Sequence, residues 1–215
     1  DQIITVSNHS ANKLNLLGVK SNKINVVYNA PKKNFLENNL SIKKEKYLLF
    51  IGTISPRKNL LRVLKAVTLL DKDIFENYKL IIIGKISFIL LEESLLLKKL
   101  IKINKLIFLK NISDKHLLEY YKKSELLIFP SLSEGFGYPI LEAFATKLPV
   151  ITSKYGATKE IANDAALLIN PFNVLEIKDS IMEIIKNNSL KNNLIKKGTK
   201  ILSFFSHKKL IKETD

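Results

Sequence analysis

The chain has 215 residues, of which 46% are hydrophobic and 26% are charged, and this balance is typical of a folded globular protein. It contains no cysteine, which excludes disulfides and thiolate metal sites. Its three histidines, His9, His116 and His207, lie far apart and in no ligand spacing, so no metal site is expected. The longest apolar runs fall far short of the ~20 residues that a membrane-spanning helix needs.

The net charge of +15 suggests an anionic partner, such as nucleic acid, acidic lipid headgroups or a phosphorylated substrate. Only Arg57 and Arg62 among the 35 basic residues are arginine, and the lysines are spread along the chain. This distribution favours solvated surface lysines over a dedicated binding patch. A nucleic-acid binder, whose affinity would fall steeply with salt, is therefore the least favoured function.

The first 46 residues predict two short strands and a linker. Residues 3–6 predict a buried strand, and the polar residues from Ser7 can cap a helix that runs to about residue 17. A second strand is predicted over 24–28. The stretch 29–46 is polar and rich in lysine and asparagine, which is typical of a linker, and we expect a domain boundary there.

From residue 47 the pattern becomes a regular alternation of apolar strands and amphipathic helices. The strands are continuous hydrophobic runs, as expected for a parallel sheet that is covered by helices on both faces. This alternation predicts an α/β fold with a doubly wound, Rossmann-like parallel sheet of about six strands. The predicted strands are 47–51, 79–83, 106–109, 126–129, 150–152 and 166–169. The predicted helices are about 58–70, 88–102, 114–123, 139–146, 157–162 and 174–187, with two further helical stretches after residue 190.

Ligands of such folds bind beyond the carboxyl ends of the strands, and the first loop there spans residues 52–59. Gly52 lets a ligand approach the backbone closely. Arg57 and Lys58 are predicted at the start of a helix, where cations are unfavourable unless an anion is bound. A planar guanidinium beside a mobile ammonium suits a diphosphate, although two exposed surface cations are the alternative.

The most specific segment is Pro130-Ser-Leu-Ser-Glu-Gly-Phe-Gly-Tyr-Pro-Ile-Leu-Glu-Ala143. Pro139 suits the first position of a helix, and the unpaired backbone N–H groups before it predict an anion site. Glu134 and Glu142 are separated by seven residues, and we expect both carboxylates to face one crevice. Each can accept hydrogen bonds from the hydroxyl pair of a sugar or a ribose. For Glu142 the alternative is stabilisation of the helix dipole.

Two further loops follow strands of the predicted sheet. Ser113 or Asp114 is expected to cap a helix, and the backbone around Ile112 can meet the edge of a base. The turn 154–160 has no evident chemistry of its own. The Walker sequence and the three-glycine dinucleotide fingerprint are absent, so neither ATP hydrolysis nor hydride transfer is supported.

Taken together, these loops resemble the retaining glycosyltransferases of family 4, the group 1 glycosyltransferases, whose GT-B fold has two facing Rossmann-like domains. The chain is thereby expected to be the carboxy-terminal, donor-binding half of a GT-B fold. Departures from the family pattern are Ala30, where glycine is usual, and the segment 205–207, where tryptophan is frequent. The resemblance is carried by residues 134–151 (paired glutamates), 52–59 (phosphate loop), 156–160 (next active-site loop), 165–171, 3–10 and 27–29.

The resemblance implies that the chain has four structural parts. Residues 1–28 would be a remnant of the amino-terminal acceptor domain, 29–46 the hinge, 47–188 the nucleotide-sugar-binding domain, and 189–215 the carboxy-terminal helices. The rest of the acceptor domain would precede Asp1, so that this chain alone is expected to bind the donor without turnover.

The resemblance also implies a role for each site residue. Arg57 and Lys58 would hold the diphosphate and neutralise its charge as it leaves, and Glu134 would contact the donor sugar. Glu142 would bind the ribose hydroxyls. The backbone N–H groups of Phe136 and Gly137 would hold the sugar or its phosphate. The implied donor-binding set is Gly52, Arg57, Lys58, Ile112, Glu134, Gly135, Phe136, Gly137 and Glu142, with Glu134, Arg57 and Lys58 as the catalytic members.

The implied reaction transfers a sugar from a GDP- or UDP-linked donor to an acceptor hydroxyl with retention, which gives an α-linkage without a metal or another cofactor. Mannosyl transfer is favoured. The expected partners are the nucleotide sugar, a glycan or lipid-linked acceptor and the chain's own amino-terminal domain, with no nucleic acid. We expect a cytoplasmic enzyme of polysaccharide or lipid-linked glycan synthesis, with the inner face of the membrane as a peripheral contact. The alternative is a nucleotide-sugar-binding subunit or degenerate homologue that is inactive without a partner domain.

Overall fold

The computed structural model describes residues 1–37, 41–207 and 210–211, and it begins with a small β-α-β unit. This unit contains β1 (Ile3–Thr5), α1 (Asn8–Leu16) and β2 (Ile24–Val26), and its two strands pair in parallel. Ser7 caps α1 as predicted, because its side chain accepts a hydrogen bond from the backbone N–H of Ser10. A short helix, α2 (Lys33–Leu36), follows in the predicted linker.

A second sheet of six parallel strands forms the centre of the molecule. Its strands are β3 (Tyr47–Ile51), β4 (Lys79–Ile83), β5 (Leu106–Leu109), β6 (Leu126–Phe129), β7 (Val150–Ser153) and β8 (Leu167–Ile169). The order β5-β4-β3-β6-β7-β8 confirms the predicted doubly wound α/β fold. Successive strands are added on one side of β3 up to β5 and on its other side from β6 onward, so the loops that follow β3 and β6 lie side by side. Such a switch point is where open α/β sheets bind ligands.

Helices cover both faces of this sheet. They are α3 (Leu60–Thr68), α4 (Lys72–Asn77), α5 (Leu91–Lys102), α6 (Asp114–Lys123), α7 (Tyr138–Ala145), α8 (Gly156–Ala162), α9 (Val174–Lys186) and α10 (Asn188–Leu202). Side chains of α3, α4, α5 and α9 pack against one face, and those of α6, α7 and α8 pack against the other. Within β3, Leu48 and Phe50 enter the first core layer and Leu49 and Ile51 the second. Burial on both faces is why the strands are apolar at every position.

Several predicted boundaries are wrong. Arg57 and Lys58 lie in a 3-10 turn before the helix, because Asn59 takes a left-handed conformation (φ 64°) and α3 begins only after it. Helix α7 begins at Tyr138, so Pro139 is its second residue. Helix α4 was not predicted at all, since its sequence is short and mostly polar.

The ends of the chain also differ from expectation. The prediction that β1 is buried is wrong, since Ile3 and Ile4 are 37% and 52% exposed. A sheet of two short strands offers too little surface to bury both of its faces. The first stretch predicted after residue 190 is part of α10, which begins at Asn188. Much of the second stretch falls on residues 208–209 and 212–215, outside the described residues, and the division of the chain at residues 28, 46 and 188 stays a prediction.

The carboxyl ends of β3 and β4 approach each other so closely that a side chain does not fit between them. A Cβ atom added to Gly84 would lie 2.0 Å from the carbonyl oxygen of Gly52. The N–H of Gly52 donates to the carbonyl of Ile83 at 3.0 Å, and that of Ile54 donates to Lys85 at 2.7 Å. The strand pairing therefore continues into the two loops and fixes their relative position.

Gly84→Ala is expected to lower the free energy of unfolding by about 2–3 kcal/mol, because the added methyl group forces the two backbones apart. Denaturant unfolding measures this loss. Gly135→Ala is the matched control, because a Cβ atom there meets nothing within 4 Å. Equal losses in the two variants would contradict the close approach as the cause.

Candidate functional site

A cleft of about 560 Å³ lies beyond the carboxyl ends of β3, β4 and β5. This volume is within the range of sites that hold small molecules. Residues at the ends of these three strands form most of its wall, and Lys32 lines it from the segment before β3. The loop residues at its wall are Gly52 and Thr53, Gly84 and Lys85, and Asn111 and Ile112.

Three of the predicted site residues form one ion-pair cluster at the switch point. Lys58 Nζ donates to Glu134 Oε1 at 2.5 Å, and Arg57 Nη1 lies 2.8 Å from Glu134 Oε2. The side chains of Lys58 and Glu134 are only 9% and 11% exposed, whereas that of Arg57 is half exposed. The loops after β3 and β6 thus bring two cations to a single carboxylate.

Lys58 is the most constrained member of this cluster. Burial lowers the pKa of Lys58, and the adjacent Glu134 carboxylate offsets part of that shift. The ammonium also lies 4.6 Å from the centre of the Phe129 ring. Gly52 has φ 138°, and a Cβ atom on it would come within 3.0 Å of the Lys58 stem. Glycine at position 52 therefore leaves room for the Lys58 side chain, and close approach of a ligand to Gly52 stays a prediction.

Asn59 fixes the loops that carry this cluster, and the sequence analysis did not identify it. Its Nδ2 donates to the carbonyls of Pro130 at 3.1 Å and Pro171 at 2.7 Å, and its Oδ1 accepts from Arg62. These bonds join the loops after β3, β6 and β8. The left-handed backbone of Asn59 also ends the 3-10 turn that places Arg57 and Lys58.

The backbone of residues 134–137 offers several hydrogen-bond donors. Within residues 1–37, 41–207 and 210–211, their N–H groups donate no hydrogen bond. Gly137 has φ 137°, a conformation that favours glycine, and its carbonyl begins α7 by accepting from Ile140. The loop therefore holds unpaired N–H groups beside two cations, which is suitable for an anion.

Glu142 lies in a different environment from Glu134. Its Oε2 accepts a hydrogen bond from the hydroxyl of Tyr121 at 2.8 Å, and both side chains are buried. Burial raises the pKa of Glu142, and the bond from Tyr121 offsets part of that shift. Phe35 of α2 packs edge-on against Tyr121 with 5.2 Å between ring centres. Bonding to a tyrosine, rather than to the first N–H groups of α7, argues against the helix-dipole alternative.

The opposite charges of Lys32 and Asp114 lie near this carboxylate. Lys32 Nζ is 2.8 Å from Asp114 Oδ1, and the two charges shift the pKa of Glu142 in opposite directions. Asp114 is the first residue of α6, which Ser113 caps by accepting from the N–H of His116. Ile112, the predicted base contact, lines the cleft immediately before this cap.

The segment 154–160, whose role the sequence left open, is a turn only at residues 154–155 and continues into α8, and its Glu160 binds the amino-terminal unit. Glu160 Oε1 accepts from Asn8 N at 2.8 Å and from the hydroxyl of Tyr28 at 2.7 Å, and Oε2 accepts from His9 N at 2.9 Å. Burial alone would raise the pKa of Glu160, but these bonds lower it on balance. The carboxylate of Glu160, on α8, thus caps the first turn of α1.

A family model described as "Glycosyl transferases group 1" matches residues 31–201, which include every residue of the predicted donor site. The chain belongs to this family. The predicted resemblance is thereby confirmed.

Relatives of this group 1 glycosyltransferase include two mannosyltransferases. The O-antigen chain mannosyltransferase RfbU of Salmonella typhimurium is 33% identical over 156 residues, which are 71% of this chain and 42% of RfbU. The serotype-specific mannosyltransferase WbdA of Escherichia coli is 40% identical over 119 residues, 55% of this chain and 14% of WbdA. The chain thus spans less than half of the length of either protein.

Solved structures share the fold. A mutant of TarM from S. aureus, crystallised with fondaparinux, alpha-GlcNAc-glycerol and UDP, superposes with a TM-score of 0.83 at 19% identity. The match covers 99% of this chain and 43% of TarM. The observed sheet is therefore the Rossmann-like architecture of the family's structures.

In the part of the chain that the structure describes, no three histidine, aspartate or glutamate side chains are grouped so that they could hold a metal ion. No helix in the same part is long and apolar enough to cross a membrane.

Tyr121→Phe tests the environment of Glu142. The variant is expected to lose about 1 kcal/mol of unfolding free energy and to raise the pKa of Glu142 further, because a bond that favours the carboxylate is removed. An acid with a raised folded pKa makes stability fall as pH rises from its unfolded pKa, about 4.5, through the folded one. Unfolding at a series of pH values should show this fall extending to higher pH in the variant. Tyr120→Phe, on the same helix, is the control, and identical pH profiles for both variants would contradict the assignment.

Glu160→Gln tests the cap on α1. Because the folded pKa of Glu160 is lowered, its contribution to stability is present above the unfolded pKa and is lost as pH falls through the folded one. At neutral pH the variant is expected to lose about 1 kcal/mol, a value reduced for partial solvent screening. The difference from the unmodified chain should shrink below about pH 4. Glu183→Gln, at an exposed position on α9, serves as control; a difference that is constant with pH would refute the charged cap.

Proposed function

We propose that this chain binds the nucleotide-sugar donor of a retaining glycosyltransferase that transfers a hexose, by preference mannose, to an acceptor hydroxyl. The observation that carries the proposal is the ion-pair cluster of Arg57, Lys58 and Glu134 at the switch point. Membership of the group 1 glycosyltransferases supports the reaction class, and the two mannosyltransferase relatives support the sugar.

The cluster suits a diphosphate in charge and in position. Two cations face one carboxylate, so the group carries a net positive charge beside the unpaired N–H groups of residues 134–137. Lys58 is largely desolvated, and its attraction for an anion is correspondingly strong. In the proposed complex the diphosphate takes the hydrogen bonds of Arg57 and Lys58, and Glu134 turns to the hydroxyls of the sugar.

The same groups account for the proposed chemistry. When the bond between the sugar and the diphosphate breaks, negative charge grows on the leaving phosphate oxygen. Arg57 and Lys58 stand ready to stabilise that charge without reorganisation, which is the type of electrostatic effect that lowers barriers most. The proposal therefore requires no metal ion. Retention follows from the family resemblance, and both same-face attack and double displacement agree with it.

Glu142 is the proposed ribose contact. Tyr121 bonds to Oε2, and we assign Oε1 to the ribose hydroxyls. The base, guanine or uracil, would lie against the backbone of Ile112 in the cleft. Glu142 must be ionised to accept two hydroxyl bonds, and its raised pKa predicts weaker binding in mild acid.

The wider setting belongs to the proposal as well. The acceptor is taken to be a glycan or a lipid-linked saccharide, in keeping with the O-antigen relative. An amino-terminal domain continuous with residues 1–28 would supply the acceptor site. We propose a cytoplasmic location in which the net charge of +15 favours peripheral contact with the anionic inner face of the membrane.

Calorimetric titration of the chain with GDP- and UDP-linked hexoses tests the proposal. Selective binding of one nucleotide is expected, and Arg57→Ala and Glu142→Ala should each weaken it about tenfold or more, since each removes charge-assisted hydrogen bonds. Lys72→Ala, which removes an exposed cation of α4, is the control and should bind as the unmodified chain does.

Failure of the folded chain to bind any of these nucleotides would refute the proposed donor site. Binding without transfer, even when an acceptor and a separately supplied amino-terminal domain are present, would instead favour the binding-subunit alternative.

A further inference from the structure

The amino-terminal unit contacts residues 130–137, the loop between β6 and α7 that we call the donor loop, through one buried hydroxyl. Ser7, which is fully buried, donates from Oγ to the carbonyl oxygen of Gly135 at 2.7 Å. The same oxygen atom of Ser7 accepts from the N–H of Ser10 at 3.1 Å and lies 3.0 Å from Ser10 Oγ. Ser10 Oγ lies 3.3 Å from the Gly135 carbonyl and makes a longer second contact. Residues 7 and 135 are 128 positions apart, and the bond therefore joins two distant parts of the chain.

The bond from Ser7 to Gly135 fixes the direction of a neighbouring backbone N–H group, that of Phe136. Described peptide bonds are all trans, so the carbonyl of Gly135 and the N–H of Phe136 point in opposite directions from one planar group. Ser7 holds the carbonyl end, and the N–H of Phe136 therefore points away from Ser7. The Phe136 ring holds the next residue in place, because it is buried against Tyr28 and Phe205. The peptide is thus restrained on both sides while its N–H stays unpaired in the described chain.

Ser7 is itself held in position by Glu160. The two carboxylate oxygens of Glu160 accept from the N–H groups of Asn8 and His9, the two residues that follow Ser7. Tyr28 bonds to the same carboxylate and touches the Phe136 ring. The hydroxyl at position 7 is therefore fixed relative to the donor loop by contacts other than its own bond.

We propose that Ser7 is a positioning residue of the donor site, which directs the N–H of Phe136 at the distal phosphate or the sugar of the bound donor. The inference rests on the proposed function. It means that the β-α-β unit at the start of the chain completes the donor site, even though the unit lies outside the six-stranded sheet. Movement of this unit away from the sheet would release the Gly135 peptide and loosen the hold on the distal half of the donor.

Ser7 also caps α1, and the test separates this structural role from positioning. Loss of a cap lowers stability and affects all ligands alike. Loss of positioning affects only ligands that reach the N–H of Phe136, namely those with a second phosphate or a sugar. Affinity for a nucleoside monophosphate, which ends before that point, should be unchanged.

The experiment is calorimetric titration of the 215-residue chain with the monophosphate, the diphosphate and the diphosphate sugar of the base that binds. Ser7→Ala is expected to weaken diphosphate and diphosphate-sugar binding about three- to tenfold, the usual effect of one hydrogen bond, and to change monophosphate binding less than about twofold. Ser7→Thr retains the hydroxyl and should restore affinity. Ser10→Ala is the matched control, because it removes the 3.3 Å contact with Gly135 and the 3.0 Å contact with Ser7 Oγ but keeps the Ser7 hydroxyl. If Ser7→Ala does not fold, Ser7→Gly replaces it, because glycine is tolerated at a helix cap.

Unchanged affinities in the Ser7 variant, or equal losses for all three ligands, would overturn the inference while leaving the donor site in place. Absence of nucleotide binding by the unmodified chain would overturn the proposed function, and the inference with it. Recovery by Ser7→Thr together with a loss confined to the two larger ligands is the supporting result.

Discussion

The buried amide of Asn59 is the interaction on which the arrangement of the site depends. One side chain joins the loops that follow β3, β6 and β8, and its left-handed backbone stops the turn that carries Arg57 and Lys58. A parallel sheet brings strand ends together but leaves their loops free to diverge. Asn59 restricts that freedom at the switch point, together with the bond from the N–H of Leu132 to the carbonyl of Arg57.

Glu134, in the loop before α7, and Glu142, within α7, place the same chemical group in two different environments. Glu134 is held by two cations, whereas Glu142 is buried beside the hydroxyl of Tyr121. Burial in the second environment disfavours the charged form, so the pKa of Glu142 is raised. The environment of each glutamate is set by its neighbouring side chains, which come from the loop after β3 and from α6, more than by its position along the chain.

Much of the fold could be predicted from the sequence because strands that are buried on both faces appear as apolar runs, and the limits of β3, β4, β5 and β6 were predicted to the residue. The proximity of Gly52, Arg57, Lys58 and Glu134 was also predictable, since they lie in loops that the topology must bring together, but the ion pairs among them were not predicted. Other contacts left no local signal. Tyr121 resembles a core residue of an amphipathic helix, and its bond to Glu142 depends on the packing of α6 against α7. Ser7 and Glu160 act over more than 120 positions, a distance at which one sequence contains no pairing information.

The contact of Glu134 with both cations has a consequence for the choice of ligand. An incoming phosphate can bind Arg57 and Lys58 only if it first displaces the Glu134 carboxylate, which already pairs with both cations. Simple phosphates offer nothing to the displaced group. A donor whose sugar bears hydroxyl groups gives that carboxylate new hydrogen bonds, and these offset the free energy lost when its ion pairs break. In the proposed complex, the ion pair would thus favour a ligand that carries both a diphosphate and a sugar over a simple phosphate.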